Sequence, residues 1–425
     1  MLGARIQQVI SFFRRQSNNF KVLLVHRVIV GGGMRVGAIH TLTRQYTNLY
    51  IVALGASKVE LGLVSSIGTT IRTILDYPIG WVIDKVSLKK MMLLGLMFSV
   101  LSSLIYALAV NWYMVIPATL LLSLAWPMSG VVSRILLTDS LSDTDRGTGF
   151  GILEAVGAIP GVVMPFVAAY LVETLGGINP EGIRPLFYFE AISLIPVSLW
   201  IYWRLRDPDR SVGGMSTQTL GFLGGIKKFV VEEKGARNWM LVGIFDAFGM
   251  LAFPYLYVYA VEAKGASPVI LGFMTAASAL ATIGFSIPWG RLADRIGRKK
   301  VLYLGLIPNW AWIFLLLLAP SPEWLILVGI FEGAFSSTFM LWGAVTMELI
   351  PPQWRGSYSG ISSMVRGIAS ALAMPLGGLL WETVGSHATF LLALGLETVS
   401  IALVTTIPET LASRRPRNQL TLKGM

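Results

Sequence analysis

Twelve ionisable side chains stand inside long apolar runs. Arg27, Arg35, Arg44, Arg72, Arg134 and Arg366 are basic; Asp76, Glu154, Glu190, Asp246, Glu332 and Glu397 are acidic. A charge held in hydrocarbon costs about 2.5–3.5 kcal/mol on insertion scales, so each is a candidate for function. The two sets balance, which favours pairing over a cavity of one sign. Such groups can bind a polar solute, carry a proton or form a gate that opens when a pair parts. Catalysis is not indicated. There is no cysteine, and the three histidines, His26, His40 and His387, are scattered, so no metal centre is expected. The chain has no Gly-x-x-x-x-Gly-Lys-Ser/Thr loop to cradle a nucleotide phosphate, and no cofactor is expected.

Two runs carry organised polar stripes. Ser65, Thr69, Arg72, Asp76 and Gly80 follow spacings of three and four and share a helix face, as do Ser359, Ser363, Arg366 and Ser370. At 1.5 Å per residue, Asp76 lies about 12 Å and Arg366 about 15 Å from the basic end of its helix. Arg35 follows Gly31-Gly32-Gly33 near the middle of its run, and Arg72 lies at similar depth. Glu154 and Glu332 are either proton carriers or members of ion pairs, with Arg134 or Arg27 as partners for Glu154. His40 and Arg44, one turn apart, precede the polar residues Gln45, Thr47 and Asn48 and are expected to border a mouth. Snorkelling is the alternative for Arg44.

The elements that must hold these residues are membrane helices. Of 425 residues, 54% are hydrophobic and 13% charged, with a mean hydropathy of +0.67. A soluble domain is about 25% charged. Apolar segments fall at about 20–54, 59–84, 89–110, 112–140, 147–174 and 184–205, and again at about 237–263, 267–290, 299–319, 323–349, 357–384 and 387–408. The net charge of +11 sits between these runs, so a membrane orientation signal explains it and nucleic acid is not expected as a partner. About 25 of the 34 Lys and Arg fall on one side, counting both termini, and about 3 on the other. This predicts an even number of spans with both termini cytoplasmic, in a cell membrane. The N-terminus lacks the pattern of a removable signal peptide. The expected organisation is an N-terminal six-helix half over 1–205, a cytoplasmic linker over 206–236 and a C-terminal six-helix half over 237–425.

The halves repeat each other. Gly55-Ala56-Ser57, Leu61-Gly62, Pro78, Gly80, Asp84 and Lys89-Lys90 recur 210 positions on as Gly265-Ala266-Ser267, Leu271-Gly272, Pro288, Gly290, Asp294 and Lys299-Lys300. Arg146-Gly147 and Glu173-Thr174 recur at 209 as Arg355-Gly356 and Glu382-Thr383. The same register places Asp246 at the equivalent of Val36, beside Arg35. The loop Gly290-Arg291-Leu292-Ala293-Asp294-Arg295-Ile296-Gly297-Arg298-Lys299 resembles the signature loop of the major facilitator superfamily. Its first copy, from Gly80 to Lys90, keeps Asp84 but has Ser87-Leu88 where the second has Gly297-Arg298.

The resemblance implies an all-α integral membrane fold: twelve transmembrane helices in two pseudo-symmetric six-helix bundles. It also implies that the two loops latch one conformation, Asp84 toward the eleventh helix near Gly356 and Asp294 toward the fifth near Gly147. Arg146, Arg355, Arg295 and Arg298 belong to the same machinery, although the loops could instead serve only as topological anchors. In the family the second and eleventh helices meet across the halves. Asp76 and Arg366 are therefore expected to form a gate pair, a permanent pair or separate partners being the alternatives. Helices one and seven line the family's central cavity, so Arg35 and Asp246 are the leading substrate or proton residues, joined by Arg72. A purely structural role for Asp246, as partner to Arg35, stands equally. Glu190 and Glu397 lie on helices the family places at the periphery, and less is expected of them.

These readings converge on a secondary transporter working by alternating access on a small-molecule substrate, coupled to protons through Asp246, Glu154 or Glu332. A monomer is expected. Export of a small organic or amphiphilic compound is preferred, because the cavity helices are mostly apolar and a Gly-Pro cluster follows Glu154. Import of a sugar or organic anion, with Arg35 and Arg72 as anion partners, is the alternative. A receptor lacks the added domain it would need.

Overall fold

The computed structural model describes residues 15–32, 35–83, 86–141, 145–207 and 233–409; the side chains at 32, 35–36, 76–81, 83, 146–147, 353 and 356–357 fall outside that description. Most of the 206–236 linker and the tail from 410 also lie outside it. Among the described residues, ten helices are long and apolar enough to cross a membrane. Two further spans complete the twelve. Span 1 is broken into Asn18–Ile29, Ala38–Arg44 and Thr47–Ala53. Span 2, Lys58–Ile83, is made less apolar by its polar stripe.

Spans 3 to 6 are Leu88–Leu108, Val115–Ser140, Arg146–Thr174 and Pro180–Arg204. Span 7 runs as Lys234–Gly249, a 3-10 stretch Met250–Tyr255, and Leu256–Glu262. Span 8 is Pro268–Ile296, and span 9 joins Arg298–Leu304 to Leu306–Leu318. Span 10 joins Leu325–Ser336 to Phe339–Leu349; spans 11 and 12 are Arg355–Thr383 and Ser386–Leu403. The break in span 1 was not foreseen. There the chain folds into a short antiparallel pair, Gly31 opposite Val36 and Gly32 opposite Arg35. The run of three glycines explains it, since glycine pays the largest entropic cost of being held in a helix.

The repeat is visible in the backbone. Gly55 and Gly265 both take positive φ, +96° and +68°, where a side chain would be strained. Two residues later Ser57 and Ser267 each cap the following helix through the hydroxyl, to Glu60 N and Ile270 N. Glu60 returns the contact to Ser57 N at 2.7 Å, closing a capping box.

Each half packs the same way: span 2 on 4 as 8 on 10, and span 1 on 5 as 7 on 11. The contact residues, however, trade sides. In the C-terminal half, span 10 carries Gly329-x-x-x-Gly333. A Cβ at Gly329 would lie 2.1 Å from Met274 O, and one at Gly333 2.1 Å from Ser278 O. This is the small-residue groove that lets membrane helices approach. At the matching N-terminal positions the glycine is Gly68 on span 2, and it faces Thr119 and Ser123 of span 4. Gly68 matches Ser278, Thr119 matches Gly329, and Ser123 matches Gly333, all 210 positions apart.

Across the halves, span 2 packs along span 11 and span 5 along span 8. The polar contacts gather at the end away from the basic loops, here called the far face. Lys58 N donates to Glu382 Oε1 at 2.6 Å, and Lys58 Nζ pairs with Glu262 at 2.6 Å. Asn48 Nδ2 donates to Pro254 O at 2.8 Å, and Ser66 Oγ to Ala371 O at 2.6 Å. Phe166 and Phe273 meet edge to face. Toward the basic face the same four helices carry exposed side chains, among them Arg72, Glu154, Asp294 and Met364.

Candidate functional site

The charges inside the spans form pairs, and the pairs follow the repeat. In the N-terminal half, Arg27 of span 1 bonds Glu154 of span 5, Nη2 to Oε1 at 2.6 Å. Glycine at 157, one turn beyond Glu154, makes the room: a Cβ there would lie 2.9 Å from Arg27 Cγ and Nε. In the C-terminal half, Asp246 of span 7 accepts from Arg366 of span 11, Oδ2 to Nη2 at 2.7 Å. Gly243, one turn before Asp246, gives the arginine stem its place. The guanidinium of Arg366 also lies 5.3 Å from the ring of Trp342, which stacks on Trp239.

The carboxylates expected to matter least are buried inside the bundles. Glu190 of span 6 reaches His40 of span 1, Oε1 to Nδ1 at 2.5 Å, while its Oε2 is buried without a hydrogen-bond partner. Glu397 of span 12 is buried and accepts from Asn309 Nδ2 of span 9; Asn309 Oδ1 in turn accepts from Trp312 Nε1 at 2.8 Å. A carboxylate on an outer helix has only the bundle interior in which to find a partner, and that was the signal available. Glu332 of span 10 accepts from Ser278 Oγ of span 8 and from Ser336 Oγ at 2.7 Å. The close approach at Gly333 brings Ser278 within reach.

Met250, Ala252, Phe253 and Leu256 of span 7, Trp312 of span 9, Glu332, Phe335, Ser336 and Phe339 of span 10, and Ala393 and Glu397 of span 12 line a small cavity of about 30 Å³. Both helix irregularities border it. Span 7 enters its 3-10 stretch there. Span 10 breaks at Ser337 and Thr338, whose hydroxyls bond Ala334 O and Phe335 O at 2.7 and 2.8 Å.

The remaining candidates separate. Arg72 is exposed and lies 5.4 Å from the ring of Trp126. The side chains of Arg35, Asp76 and Arg146, and all of Asp84, lie outside the described residues; so does any Cβ contact at Gly80. Arg366 is engaged with Asp246, within its own half; the expected contact with Asp76 falls outside the described residues. In the signature loop, Arg298 bonds Asp294 at 3.2 Å and Glu348 of span 10 at 3.1 Å; Arg295 is exposed, and Gly290 packs near Met340. Arg355 caps the end of span 10 through Ile350 O at 3.1 Å and Met347 O at 2.5 Å.

The sequence profile of the Major Facilitator Superfamily matches residues 36–233 and 239–423. The chain is 32% identical to Inner membrane transport protein YajR of Escherichia coli (strain K12) over 172 residues, covering 39% of this chain and 37% of that protein. It is 24% identical to Multidrug resistance protein 1 of Bacillus subtilis (strain 168) over 389 residues, 84% of this chain and 94% of that one. Among solved structures, a mutant of the nucleoside transporter NupG superposes with a TM-score of 0.74 at 17% identity, over 92% of this chain and 99% of its own. A D-xylose-proton symporter superposes with a TM-score of 0.68 at 12% identity, over 92% and 97%. Both share the fold.

Proposed function

We propose, from the premise that the chain belongs to the major facilitator superfamily and is a multi-pass membrane transporter of small molecules, that it is a proton-coupled carrier exporting a small organic or amphiphilic compound. The buried Asp246–Arg366 pair carries this reading. Asp246 is the buried member and Arg366 is partly exposed, so exchange of the guanidinium for a proton removes the buried charge and frees a guanidinium that water can reach. Glu154, held by Arg27, is the matching group in the other half. Export is supported by the Bacillus subtilis relative named for multidrug resistance and by the apolar, aromatic lining of the cavity.

The basic face is cytoplasmic under the positive-inside rule. The far face is held shut by Lys58, Glu262 and Glu382, so the described conformation is the one open to the cytoplasm. The Asp294 latch is then disengaged from span 5, and its carboxylate is exposed beside Arg298. The protein acts as a monomer in the cytoplasmic membrane, with the two halves rocking about the site.

Purified protein in proteoliposomes with an imposed pH gradient tests this. Substrate-dependent proton flux is expected from the wild type and is lost in Asp246→Asn. Flux that persists unchanged in that variant overturns the assignment of Asp246, and absence of flux across a broad panel of compounds overturns proton coupling.

A further inference from the structure

We propose that the membrane-facing groove between spans 3 and 6 is a binding site for an anionic phospholipid, with an acyl chain along the groove and the phosphate at Lys89 and Lys90. Leu93, Met97 and Val100 of span 3 and Ile195, Leu199 and Tyr202 of span 6 line an open cavity of about 360 Å³. Ser198 also borders it, but its hydroxyl donates to Leu194 O at 2.7 Å, so the wall is apolar as far as Tyr202.

The groove has the length and polarity of one lipid leaflet. Lys89, Leu93, Met97 and Val100 recur every three or four residues and share a face of span 3. From Lys89 to Val100 the helix rises about 16 Å, and half of the hydrocarbon core is about 15 Å deep. Tyr202 and Trp203 are exposed aromatic residues of the kind that settle at the membrane surface, and they mark the basic end. Lys89 Nζ lies 4.8 Å from the Tyr202 ring. Lys90 beside it, and Arg204 and Arg206 just past Tyr202, are exposed. None of these four forms an ion pair among the described residues. Asp207, the acid at this end of span 6, accepts from Ser87 Oγ and Lys89 N, so it holds a hydroxyl and an amide and not an ammonium.

The matching residues of the C-terminal half are turned to other uses. Val100 corresponds to Trp310, 210 positions on, and Trp310 Nε1 reaches across to Thr398 Oγ1 of span 12 at 3.0 Å. Lys89 corresponds to Lys299, whose Nζ donates to Thr405 O and Ile407 O, each at 2.9 Å. In the N-terminal half the valine leaves the space open, and the lysine keeps its donors for a guest. An acyl chain alone gains little there, since lipid tails are as apolar as the groove. Selection therefore falls to the head group. Clustered Lys and Arg at the membrane surface favour a lipid of net negative charge over a zwitterionic one.

The site stands apart from the carrier reading, which supplies only the leaflet, the cytoplasmic one. The full chain has no cysteine, so a single fluorophore can be placed on it in nanodiscs. A bimane on Leu101→Cys, exposed and one turn from Met97, reports the groove. Ala311→Cys is the matched position on span 9. Quenching is compared for phosphatidylglycerol and phosphatidylcholine carrying the same brominated chains. At Leu101→Cys the anionic lipid is expected to bind about tenfold more tightly, and at Ala311→Cys the two should differ by less than about twofold. Lys89→Gln/Lys90→Gln should cut the preference at Leu101→Cys to about twofold or less. Val100→Trp, which copies the residue of the other half, should block the groove and remove the preference as well.

Equal quenching by both lipids at Leu101→Cys overturns the proposal without recourse to any further variant. So does a preference that survives the double lysine variant in a protein of unchanged melting temperature. The same preference at both labels would mean that the basic face attracts the lipid at large, and it removes the groove as the site. Cross-linking of Leu101→Cys between two chains in the nanodisc would show a second copy seated on the groove, and it overturns the lipid assignment too.

Discussion

Arg366 stands in the C-terminal half where Gly157 stands in the N-terminal half, 209 positions earlier. Gly157 is the glycine against which Arg27 lies, and Arg366 is the arginine that lies against Gly243. The two halves thus build the same contact, first helix to fifth, with the chemistry exchanged. The cation is on span 1 in one half and on span 11 in the other; the anion is on span 5 and then on span 7. Gly68 and Ser278 show the same exchange where span 2 meets 4 and span 8 meets 10. What the repeat has preserved is how closely the helices approach, not which helix supplies the small residue or the charge.

The exchange predicts that the two pairs fail in opposite ways. In the C-terminal pair the acid is the buried member: the Asp246 side chain is 6% exposed and that of Arg366 36%. In the N-terminal pair the base is buried, Arg27 at 8% against Glu154 at 51%. Removing one partner is costly when the charge left behind is buried, by about 3 kcal/mol. Arg366→Ala should therefore destabilise more than Asp246→Asn, while Glu154→Gln should destabilise more than Arg27→Ala. The double variant Asp246→Asn/Arg366→Gln should recover most of the loss. Thermal unfolding of the purified variants checks this, and the same order of severity in both halves would refute it.

Much of this frame was legible before any coordinates. The register of 210 matches Gly55 with Gly265 and Ser57 with Ser267, and the matched residues share a positive φ and a helix cap, because those places demand particular residue types. The alternative that Glu154 pairs with Arg27 was open on charge alone. The partner of Arg366 was not legible in the same way. Depth along a helix follows from residue count, but rotation and tilt depend on packing with other spans, and these turn Arg366 toward span 7. The contact at Gly68 and Ser278 was hidden because the identities differ at every matched position. Glu190 and Glu397 were discounted from the outer placement of their helices, although a side chain on an outer helix can still point inward.

The groove on span 10 gives a sharp packing test. A Cβ at Gly333 meets a backbone carbonyl, Ser278 O, which has no rotamer to give way. Gly333→Ala should push span 8 off span 10 and cost about 1–3 kcal/mol, the range for overpacking. It should also separate Ser278 from Glu332. Gly343→Ala, on the same span but facing open space, should be neutral or stabilising by up to about 1 kcal/mol through helix propensity. Melting temperatures of the two variants decide the matter, and similar values for both would show that the groove does not set the approach.

At the far face, Glu382 of span 11 accepts from the first amides of span 2, Lys58 N at 2.6 Å and Val59 N at 3.3 Å. An anion at a helix N-terminus contributes about 0.3–1 kcal/mol. Here the helix and the anion belong to different halves, so the contact exists only while the far face is shut. Glu382→Gln should shift the population toward far-face opening by up to about fivefold. The chain has no cysteine, so spin labels can be placed without background at Asn111→Cys and Ser321→Cys, matched loop positions on that face. Their distance distribution should gain a longer component in Glu382→Gln. An unchanged distribution would mean that the contact does not hold the face closed.

Beyond Asp84, the two signature loops meet the third helix of their halves through different residues. Ser87, where the second copy has Gly297, has φ −52° and caps span 3 by accepting from Lys90 N at 3.2 Å. It also donates to Asp207 Oδ2 at 2.5 Å, and Asp207 Oδ1 accepts from Lys89 N at 2.9 Å. In the second loop Gly297 has φ +107°, and Glu409 takes the amide of Arg298 at 3.0 Å. Both loops thus set a carboxylate from beyond the sixth helix of their half on the N-terminus of the third. They reach that end by different backbones, so the residues are not interchangeable. Ser87→Ala should cost about 1 kcal/mol, the loss of a cap. Gly297→Ser should cost more, since a side chain at that φ is strained and its Cβ would lie 2.6 Å from Glu409 Oε2. Hydrogen exchange at the amides of Lys89, Lys90, Arg298 and Lys299 reads each effect locally. Equal, small changes in both variants would mean that the two loops share one geometry after all.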